Sequence, residues 1–413
     1  MNKRLACLCA MDDPDDESRN ENDGGVAANA EEGATDAPLS VDGPISAVKS
    51  TTIDIVYLSL FSVIGFTIRV FFGRFFGGDC SSYKSGTIID DFLWPVSHQV
   101  CITTDGRTAQ YGGALFIDLP ANIIGCLVMG YFTSHPSYKY WPAFPCLSHD
   151  HPWQNDASLH VGIRTGLCGS ITTFSSWNTQ MIVMMDGTGL VLGSQVLAAL
   201  FGYIIGLQSS LYSFRAGRTI GAFTHARRNP HVFDKQEFNP RYHHKHLHWM
   251  TPAVLFIIVV AIIALFVAGD LYWNISYYRG LWIGALLSPI GAIARWRLAI
   301  LNGKVGIRGE LWFPTGTILA NFIGCIISAI CAAWAFVEAK NDSARQWGIP
   351  MLKAVTLGIA GCLSTVSTFA KECVELGEKN SPFDKKQCLY SFGTTVSCCL
   401  IGLVCYSPFV RFA

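Results

Sequence analysis

The chain has 413 residues, half of them hydrophobic and only 15% charged. This composition is too apolar and too poor in charge for an ordinary soluble protein of this size. The formal net charge of zero conceals an asymmetry. Residues 11–43 hold eleven acidic residues and one arginine, whereas residues 44–413 carry 27 Lys and Arg against 19 Asp and Glu, a net charge of +8.

The first 45 residues are acidic, rich in Gly, Ala and Pro, and poor in aromatic residues. Residues 1–45 are therefore predicted to form a disordered cytoplasmic tail. They contain no apolar run long enough for a signal peptide. Membrane insertion is expected to begin at the first internal apolar segment.

Nine later stretches are long enough to cross about 30 Å of hydrocarbon as α-helices. The sequence therefore predicts an all-α membrane protein with nine transmembrane helices, arranged as four helices, one connector and four helices. The stretches are residues 53–72, 112–132, 161–184, 189–212, 251–272, 280–301, 312–337, 350–373 and 387–410.

The connector, residues 251–272, consists almost entirely of Val, Ile, Ala, Leu and Phe, and it offers no polar residue that suggests a mechanism. An odd spanning helix between two four-helix halves inserts the second half upside down. The predicted domains are the tail, a first four-helix repeat at 46–212, a basic and His-rich cytoplasmic loop at 213–250, the connector, and a second, inverted repeat at 273–413.

Charge orients these segments in the membrane. The loop at 213–249 carries seven Arg and Lys residues, so the positive-inside rule places it in the cytoplasm. The amino terminus is then cytoplasmic and the carboxyl terminus extracellular. Asn-x-Ser sequons at Asn274 and Asn341 fall in predicted outer loops, but they lie close to the membrane, and their glycosylation stays open.

Three motifs occur in the same order in both halves. Hydroxyls and closely spaced glycines at bilayer depth are tolerated where they face protein, water or an ion, but not lipid. The duplication therefore predicts an ion path at the interface of two related halves. The motifs are Gly-x-x-x-Arg at 65–69 and 291–295, Ala-Asn-x-Ile-Gly-Cys at 121–126 and 320–325, and Gly-x-x-Gly followed by a hydroxyl-rich run at 166–175 and 358–367.

Together these motifs resemble those of the Fluc (CrcB) fluoride channels, and the match covers residues from about 52 to 410. Bacterial members are antiparallel homodimers of a four-helix subunit, and the 4+1+4 arrangement resembles the fused eukaryotic fluoride export proteins. The resemblance implies a passive plasma-membrane fluoride channel that is a functional monomer. It implies fluoride and the lipid bilayer as partners, no nucleic acid and no enzymatic activity.

The resemblance assigns the aromatic residues a role. Phe174 and Phe369 would coordinate fluoride through their electropositive ring edges. The corresponding positions of the other set hold Val366 and Trp177. This difference predicts one working pore and one vestigial pore between the two halves.

The resemblance also implies roles for other polar residues. Asn122 and Asn321 would line the pore as amide donors, although the residues alone are equally consistent with hydrogen bonds that join two helices. Which asparagine serves the working pore stays open. The hydroxyls expected in the pore are those of Thr173, Thr365, Ser175 and Ser367.

A structural sodium ion is also implied by the resemblance, because broken helices can offer backbone carbonyls to a hard cation. The carbonyls would be those of Gly169, Thr172, Gly361 and Ser364. The remaining candidates, Arg69, Arg295 and Glu372, are expected at the pore mouths or in structural contacts.

Two rival functions remain. A small-molecule or cation exporter of inverted-repeat design would need an acidic residue in the membrane. Only Asp118 can serve, and its repeat partner is Thr317. An integral-membrane enzyme would need a metal site across several helices, whereas the sequence offers one local histidine cluster at 243–248, which is expected to bind anionic lipid headgroups.

Overall fold

The computed structural model describes most of the predicted membrane region. Seven helical segments of the described residues are long and apolar enough to cross a membrane, and the chain is an all-α membrane protein. The predicted tail up to residue 43, the histidine cluster and both sequons lie outside the described residues. The described ranges are 44–76, 115–133, 144–148, 151–186, 193–228, 250–273, 276–307, 310–338, 347–379 and 385–412.

Helices dominate the described residues, with one small antiparallel hairpin in a loop of the second half. The α-helices are α1 (Pro44–Phe76), α2 (Leu119–Phe132), α3 (Ala157–Val161), α4 (Gly169–Ile171), α5 (Phe174–Asp186), α6 (Gly193–Arg228), α7 (Met250–Trp273), α8 (Ser276–Leu298), α9 (Thr315–Glu338), α10 (Gly348–Ala354), α11 (Gly361–Leu363), α12 (Ser367–Lys379) and α13 (Lys385–Phe412). The hairpin strands are β1 (Val305–Ile307) and β2 (Glu310–Phe313), the 3₁₀ turns are Pro152–Asn155 and Ala299–Leu301, and the π-helical stretches are Gly162–Cys168 and Val355–Ala360.

Two predicted boundaries are wrong. The second predicted span, 112–132, is only helical from Leu119 and measures about 21 Å, too short to cross hydrocarbon alone. Pro120 lies in its first turn, where the missing N–H is harmless and the helix begins. Helix α6 runs on to Arg228, so the first part of the predicted loop at 213–250 is helical. The basic residues of its last turn favour a helix carboxyl terminus.

The third helix of each half is broken. We call residues 157–186 the first broken helix and residues 348–379 the second broken helix. Each passes from an α-helix through a π-helical stretch and one α-turn to an extended residue, Thr172 (ψ 149°) or Ser364 (ψ 155°). A new helix, α5 or α12, follows in each case. The predicted spans 161–184 and 350–373 are therefore interrupted at the hydroxyl runs, where the resemblance implied broken helices.

Close helix packing surrounds the two breaks. Helices α1 and α8 pack against each other, and each also packs against the broken helix of its own half. The broken helices contact each other through α4 and α11. A Cβ atom at Gly65 would lie 2.6 Å from the Leu167 carbonyl oxygen, which explains the glycine of the first-helix motif as a point of close approach.

The connector is confirmed as a largely exposed apolar helix, α7, that packs against α1 and α8. The sequence predicts no polar residue with a mechanistic role in the connector, and the polar contact that the structure adds there is a structural one. The buried Asp270 carboxylate accepts hydrogen bonds from Arg279 Nη2 at 3.0 Å and from Trp282 Nε1 at 3.0 Å. The Arg279 guanidinium also lies 4.3 Å from the Trp347 ring centroid. A charged contact therefore fixes the end of the connector to the second half.

Two ion pairs join the halves reciprocally. The end of the first broken helix contributes Asp186, whose carboxylate lies 3.0 Å from Arg411 on α13. The end of the second broken helix contributes Glu378, whose carboxylate lies 2.7 Å from Arg218 on α6. In each pair the acid ends a third helix and the arginine belongs to the last helix of the opposite half.

Candidate functional site

The candidate site lies where the two broken helices meet. Breaking a helix inside the membrane frees backbone groups that need partners. Asn122 supplies them in the first half: its Oδ1 accepts from Thr173 N at 2.8 Å and its Nδ2 donates to Thr173 O at 3.2 Å. Asn321 forms the same pair with Thr365, at 2.7 and 3.2 Å. Both asparagines therefore join two helices, and each amide retains a second N–H.

The amino ends of α5 and α12 are capped across the two halves. The Thr172 hydroxyl of the first half accepts from Ser367 N at 3.1 Å and from Val366 N at 3.3 Å in the second half. The Ser364 hydroxyl of the second half accepts from Ser175 N at 3.0 Å in the first half. An N-cap normally comes from the residue just before its own helix. Thr173 and Thr365 make such bonds, accepting from Ser176 N at 3.3 Å and from Thr368 N at 3.5 Å, and the hydroxyl of the opposite half adds a further acceptor to each helix.

Six hydroxyls form two buried clusters of three around these caps, Thr172 with Thr365 and Ser367, and Ser364 with Thr173 and Ser175. Thr172 Oγ1 lies 3.2 Å from Thr365 Oγ1 and donates to Ser367 Oγ at 3.1 Å. Ser364 Oγ donates to Ser175 Oγ at 2.9 Å. The hydroxyls predicted to line a pore therefore hydrogen-bond one another at the crossing. The members are Thr172, Thr173, Ser175, Ser364, Thr365 and Ser367, all of them fully buried.

The two phenylalanines predicted to act together are in contact. The Phe174 and Phe369 rings meet edge to face, with centroids 5.6 Å apart and planes at 82°. The Phe369 ring also lies 5.2 Å from the ring of Tyr390 on α13. Each ring is fully buried. The edge of one ring therefore points at the other within the interface between the halves.

Trp177 fills the corresponding space in the first half. Its indole stacks on Phe116 at 5.2 Å and lies 5.6 Å from the Tyr203 ring. Helix α6 approaches it at Gly206, where a Cβ atom would lie 2.5 Å from the indole. Trp177 is fully buried, and its Nε1 has no hydrogen-bond partner among the described residues. The indole leaves little free space beside it.

Glu372 is held by neutral donors. Its half-buried carboxylate accepts from Thr317 Oγ1 at 2.7 Å, from Asn302 Nδ2 at 3.0 Å and from the Tyr390 hydroxyl. The neighbouring Lys371 instead lies 3.8 Å from Glu375. Glu372 is therefore placed beside the Phe369–Tyr390 contact, where three hydrogen bonds hold its carboxyl group in position.

The first half carries its carboxylate on the other helix. Asp118, which precedes α2 at the position equivalent to Thr317, accepts from the Ser176 hydroxyl. Gln180, equivalent to Glu372, accepts from Ile117 N at 3.0 Å through Oε1. Each half thus keeps one acid at this place, but the acid and the neutral partner have exchanged helices.

The two arginines do not lie at exposed mouths. Arg69 and Arg295 are 1% and 3% exposed. Arg69 Nη2 donates to Leu357 O and to Cys362 Sγ, both in the second broken helix. Arg295 Nη2 donates to Thr165 O in the first broken helix. The sequence left a mouth or a structural position open, and the structure places both guanidiniums in structural contacts with the opposite half.

The predicted sodium carbonyls are partly engaged. Arg295 Nη1 donates to Gly169 O at 2.7 Å and to Ser364 O at 3.2 Å, and both belong to the predicted set of four. A sodium ion at these oxygens would stand beside a full positive charge in a buried region, where like charges repel strongly. The residues as arranged do not fit the ion, and sodium binding stays a prediction.

Sequence reasoning missed one buried residue of this region. Asn178 Nδ2 donates to Cys398 O at 3.0 Å and Asn178 Oδ1 accepts from the Tyr203 hydroxyl at 2.7 Å, so it joins α5 to α6 and to α13. An asparagine within an apolar span is itself a signal for such a contact. Its repeat counterpart is Ala370, so a comparison of the two halves does not identify Asn178 as a repeated polar position.

Comparison with known proteins shows the family to which the chain belongs. The model of the family described as CrcB-like protein, Camphor Resistance (CrcB), matches residues 56–211 and 282–406. Fluoride export protein 1 of Candida albicans is 25% identical over 291 residues, which cover 69% of each chain. Fluoride-specific ion channel FluC 2 of Staphylococcus haemolyticus is 32% identical over 105 residues, which cover 25% of this chain and 74% of that protein.

A third relative, Fluoride export protein 1 of Schizosaccharomyces pombe, is 26% identical over 208 residues, which cover 46% of this chain and 56% of that protein. No solved structure matches the chain. The family match falls in two segments, one on each side of the connector, and together they span more than half of the residues. The chain therefore belongs to the CrcB family and carries the family's unit twice.

Proposed function

We propose that this chain is a passive fluoride channel that exports fluoride from the cytosol across the plasma membrane. Its relatives bear the names fluoride export protein and fluoride-specific ion channel, which denote transport rather than catalysis. The observation that carries the proposal is the buried edge-to-face contact between Phe174 and Phe369 at the crossing of the broken helices. It supplies ring edges where an anion would pass between the halves.

The chemistry of the crossing suits a small anion. Fluoride must exchange its water shell for donors that do not bind it too tightly to leave. Aromatic ring edges are weakly positive, and an amide N–H donates without a full charge. The second N–H groups of Asn122 and Asn321 are such donors. Helices α5 and α12 add the positive ends of their dipoles, because both begin at the breaks.

One path is proposed to conduct. It would run from the mouth at Glu372 and Tyr390, past Phe369 and Phe174, along the inner face of α13. The hydroxyl of Thr394 on that face is buried, and Thr394 Oγ1 has no hydrogen-bond partner among the described residues. A passing anion can accept a hydrogen bond from this hydroxyl. The equivalent path of the first half would be closed by the Trp177 indole.

The proposed topology is nine membrane crossings, two inverted repeats and a connector, with the amino terminus in the cytoplasm. Reciprocal contacts support the inversion: the caps at Thr172 and Ser364 and the two terminal ion pairs each occur once in either direction. Because one chain contributes both sides of every such contact, we expect a functional monomer.

Export needs no further energy source. Hydrogen fluoride crosses lipid as a neutral acid and ionises in the less acidic cytosol, where the anion is trapped. An inside-negative potential drives one negative charge outward with about 2.3 kcal/mol per 100 mV. A passive pore is therefore sufficient for fluoride resistance.

Ion flux from liposomes tests the proposal. Purified protein is reconstituted in vesicles loaded with potassium fluoride or potassium chloride, and efflux is started with valinomycin and followed by ion-selective electrodes. We expect fluoride efflux that depends on valinomycin, and chloride efflux at the rate of protein-free vesicles. Equal fluoride and chloride efflux, or fluoride efflux equal to that of protein-free vesicles, would refute the proposal.

A further inference from the structure

Arg295 links the two broken helices through their backbone. Its guanidinium is 3% exposed. Nη1 donates to Gly169 O at 2.7 Å in the first half and to Ser364 O at 3.2 Å in the second half, and Nη2 donates to Thr165 O. One side chain thus binds carbonyls on both sides of the crossing. A planar guanidinium with five donors is suited to holding several acceptors at fixed geometry.

Arg69, the repeat counterpart, does not make this link. Its hydrogen bonds all reach the second broken helix, at Leu357 and Cys362. Its guanidinium lies against Gly361, where a Cβ atom would come within 2.6 Å of Nη1. Among the described residues, neither Arg69 nor Arg295 hydrogen-bonds to a carboxylate. The crossing therefore already contains two buried positive charges whose hydrogen bonds go to carbonyl oxygens and one thiol, with Asp118 interacting electrostatically with Arg69.

We propose that Arg295 is the fixed central cation of this chain and takes the place of a bound sodium ion. It occupies two of the four carbonyls that such an ion would need. The other two, at Thr172 and Gly361, lie in the same crossing, and Gly361 is covered by the second guanidinium. A third positive charge there would be repelled by both arginines. Covalent attachment makes the cation independent of the salt composition on either side of the membrane.

Thermal unfolding of the purified protein in detergent tests this directly, and it does not depend on transport. The midpoint is measured in sodium chloride and in N-methyl-D-glucamine chloride at equal ionic strength. We expect no difference for the unaltered chain. A sodium ion present at about 100 times its dissociation constant would instead raise the midpoint by about 3 °C for a chain of this length. A sodium-dependent midpoint of that size in the unaltered chain would overturn the proposal.

Arg295→Met and Arg69→Met form a matched pair of variants. Arg295→Met should melt lower than Arg69→Met in N-methyl-D-glucamine, because Arg69 binds the second broken helix alone whereas Arg295 holds carbonyls of both broken helices. Sodium should recover part of that loss in Arg295→Met and none in Arg69→Met, because only the former frees two carbonyls of the crossing. Equal melting of both variants, or an Arg295→Met protein that does not respond to sodium, would overturn the proposal.

The measurement on the unaltered chain remains decisive if Arg295→Met does not fold. Fluoride efflux in sodium and in N-methyl-D-glucamine then gives a second readout, with no difference expected. Loss of efflux on removal of sodium would contradict the proposal while leaving the fluoride function intact. Absence of efflux under both conditions, with an unchanged melting midpoint, would refute the fluoride function and leave the role of Arg295 standing.

Discussion

Replacement of Phe174 or Phe369 by isoleucine is the sharpest test of the ion path. Phe174→Ile removes a ring edge and keeps most of the apolar bulk. Loss of the edge-to-face pair costs about 0.5–1.5 kcal/mol of stability, so the protein should still fold. If an anion at a ring edge is stabilised as much as a desolvated cation over a ring face, about 2 kcal/mol, its loss at a barrier slows passage about 30-fold. Phe369→Ile should have the same effect.

The assay is valinomycin-driven fluoride efflux from liposomes at matched protein content. Val366→Ile and Trp177→Phe are the controls, because they alter the same interface at the positions assigned to the closed path. We expect efflux near that of the unaltered chain for both controls. Trp177→Ile would be a poor control, because the indole is fully buried and its loss would leave a cavity beside Gly206.

The pattern across the four positions decides the result. If Phe174→Ile and Phe369→Ile transport normally, the ring edges do not hold the ion. If Trp177→Phe and Val366→Ile lose transport as strongly as the phenylalanine variants, both paths conduct and the single-pore assignment fails. Melting midpoints of all four variants separate a transport defect from a folding defect.

Three further outcomes follow from contacts between distant segments. Thr172→Val, a change of nearly constant volume, leaves Ser367 N without its buried acceptor and should cost about 1–3 kcal/mol, seen as a lower melting midpoint; an unchanged midpoint would contradict the cross-half cap. Arg411→Met leaves the 1% exposed carboxylate of Asp186 without its arginine and should lower the melting midpoint of the protein more than Asp186→Asn does. The reverse order would be inconsistent with the burial of Asp186. Asp270→Asn weakens the charged contact that holds the end of the connector to Arg279 and should lower the melting midpoint, whereas an unchanged midpoint would refute that role.

Local sequence signals located the breaks but not their shape. Closely spaced glycines and hydroxyls in an apolar run predict an irregular helix, and the interruptions at Thr172 and Ser364 coincide with those runs. Spacing also aligned Asn122 with Asn321 as repeat partners. The rotation of each helix about its axis is not encoded in spacing. Arg69 and Arg295 were therefore left between a mouth and a structural role until the structure placed them inside.

Partnerships across the halves were beyond sequence reasoning for a different reason. The Ser364 hydroxyl caps a helix 189 residues earlier, and no local periodicity links such positions. Within the second half, the partner of Glu372 was also hidden, because Thr317 lies 55 residues away and the adjacent Lys371 lies near Glu375 instead. Asp270 was readable as a lone acid in an apolar span, because a buried charge needs a partner.

Because a residue of the second half caps a helix of the first, the first half is completed only after the second half has been synthesised. Helix α5 emerges from the ribosome long before Ser364, the residue that completes its amino end. At about 5–20 residues per second, the 189 intervening residues take about 10–40 s to translate. During that interval the newly inserted first half holds open backbone donors inside the bilayer. During synthesis, proteases and insertion chaperones therefore encounter a first half whose α5 lacks its cap from the second half. A chain truncated before Ser364 cannot form that cap and is expected not to fold.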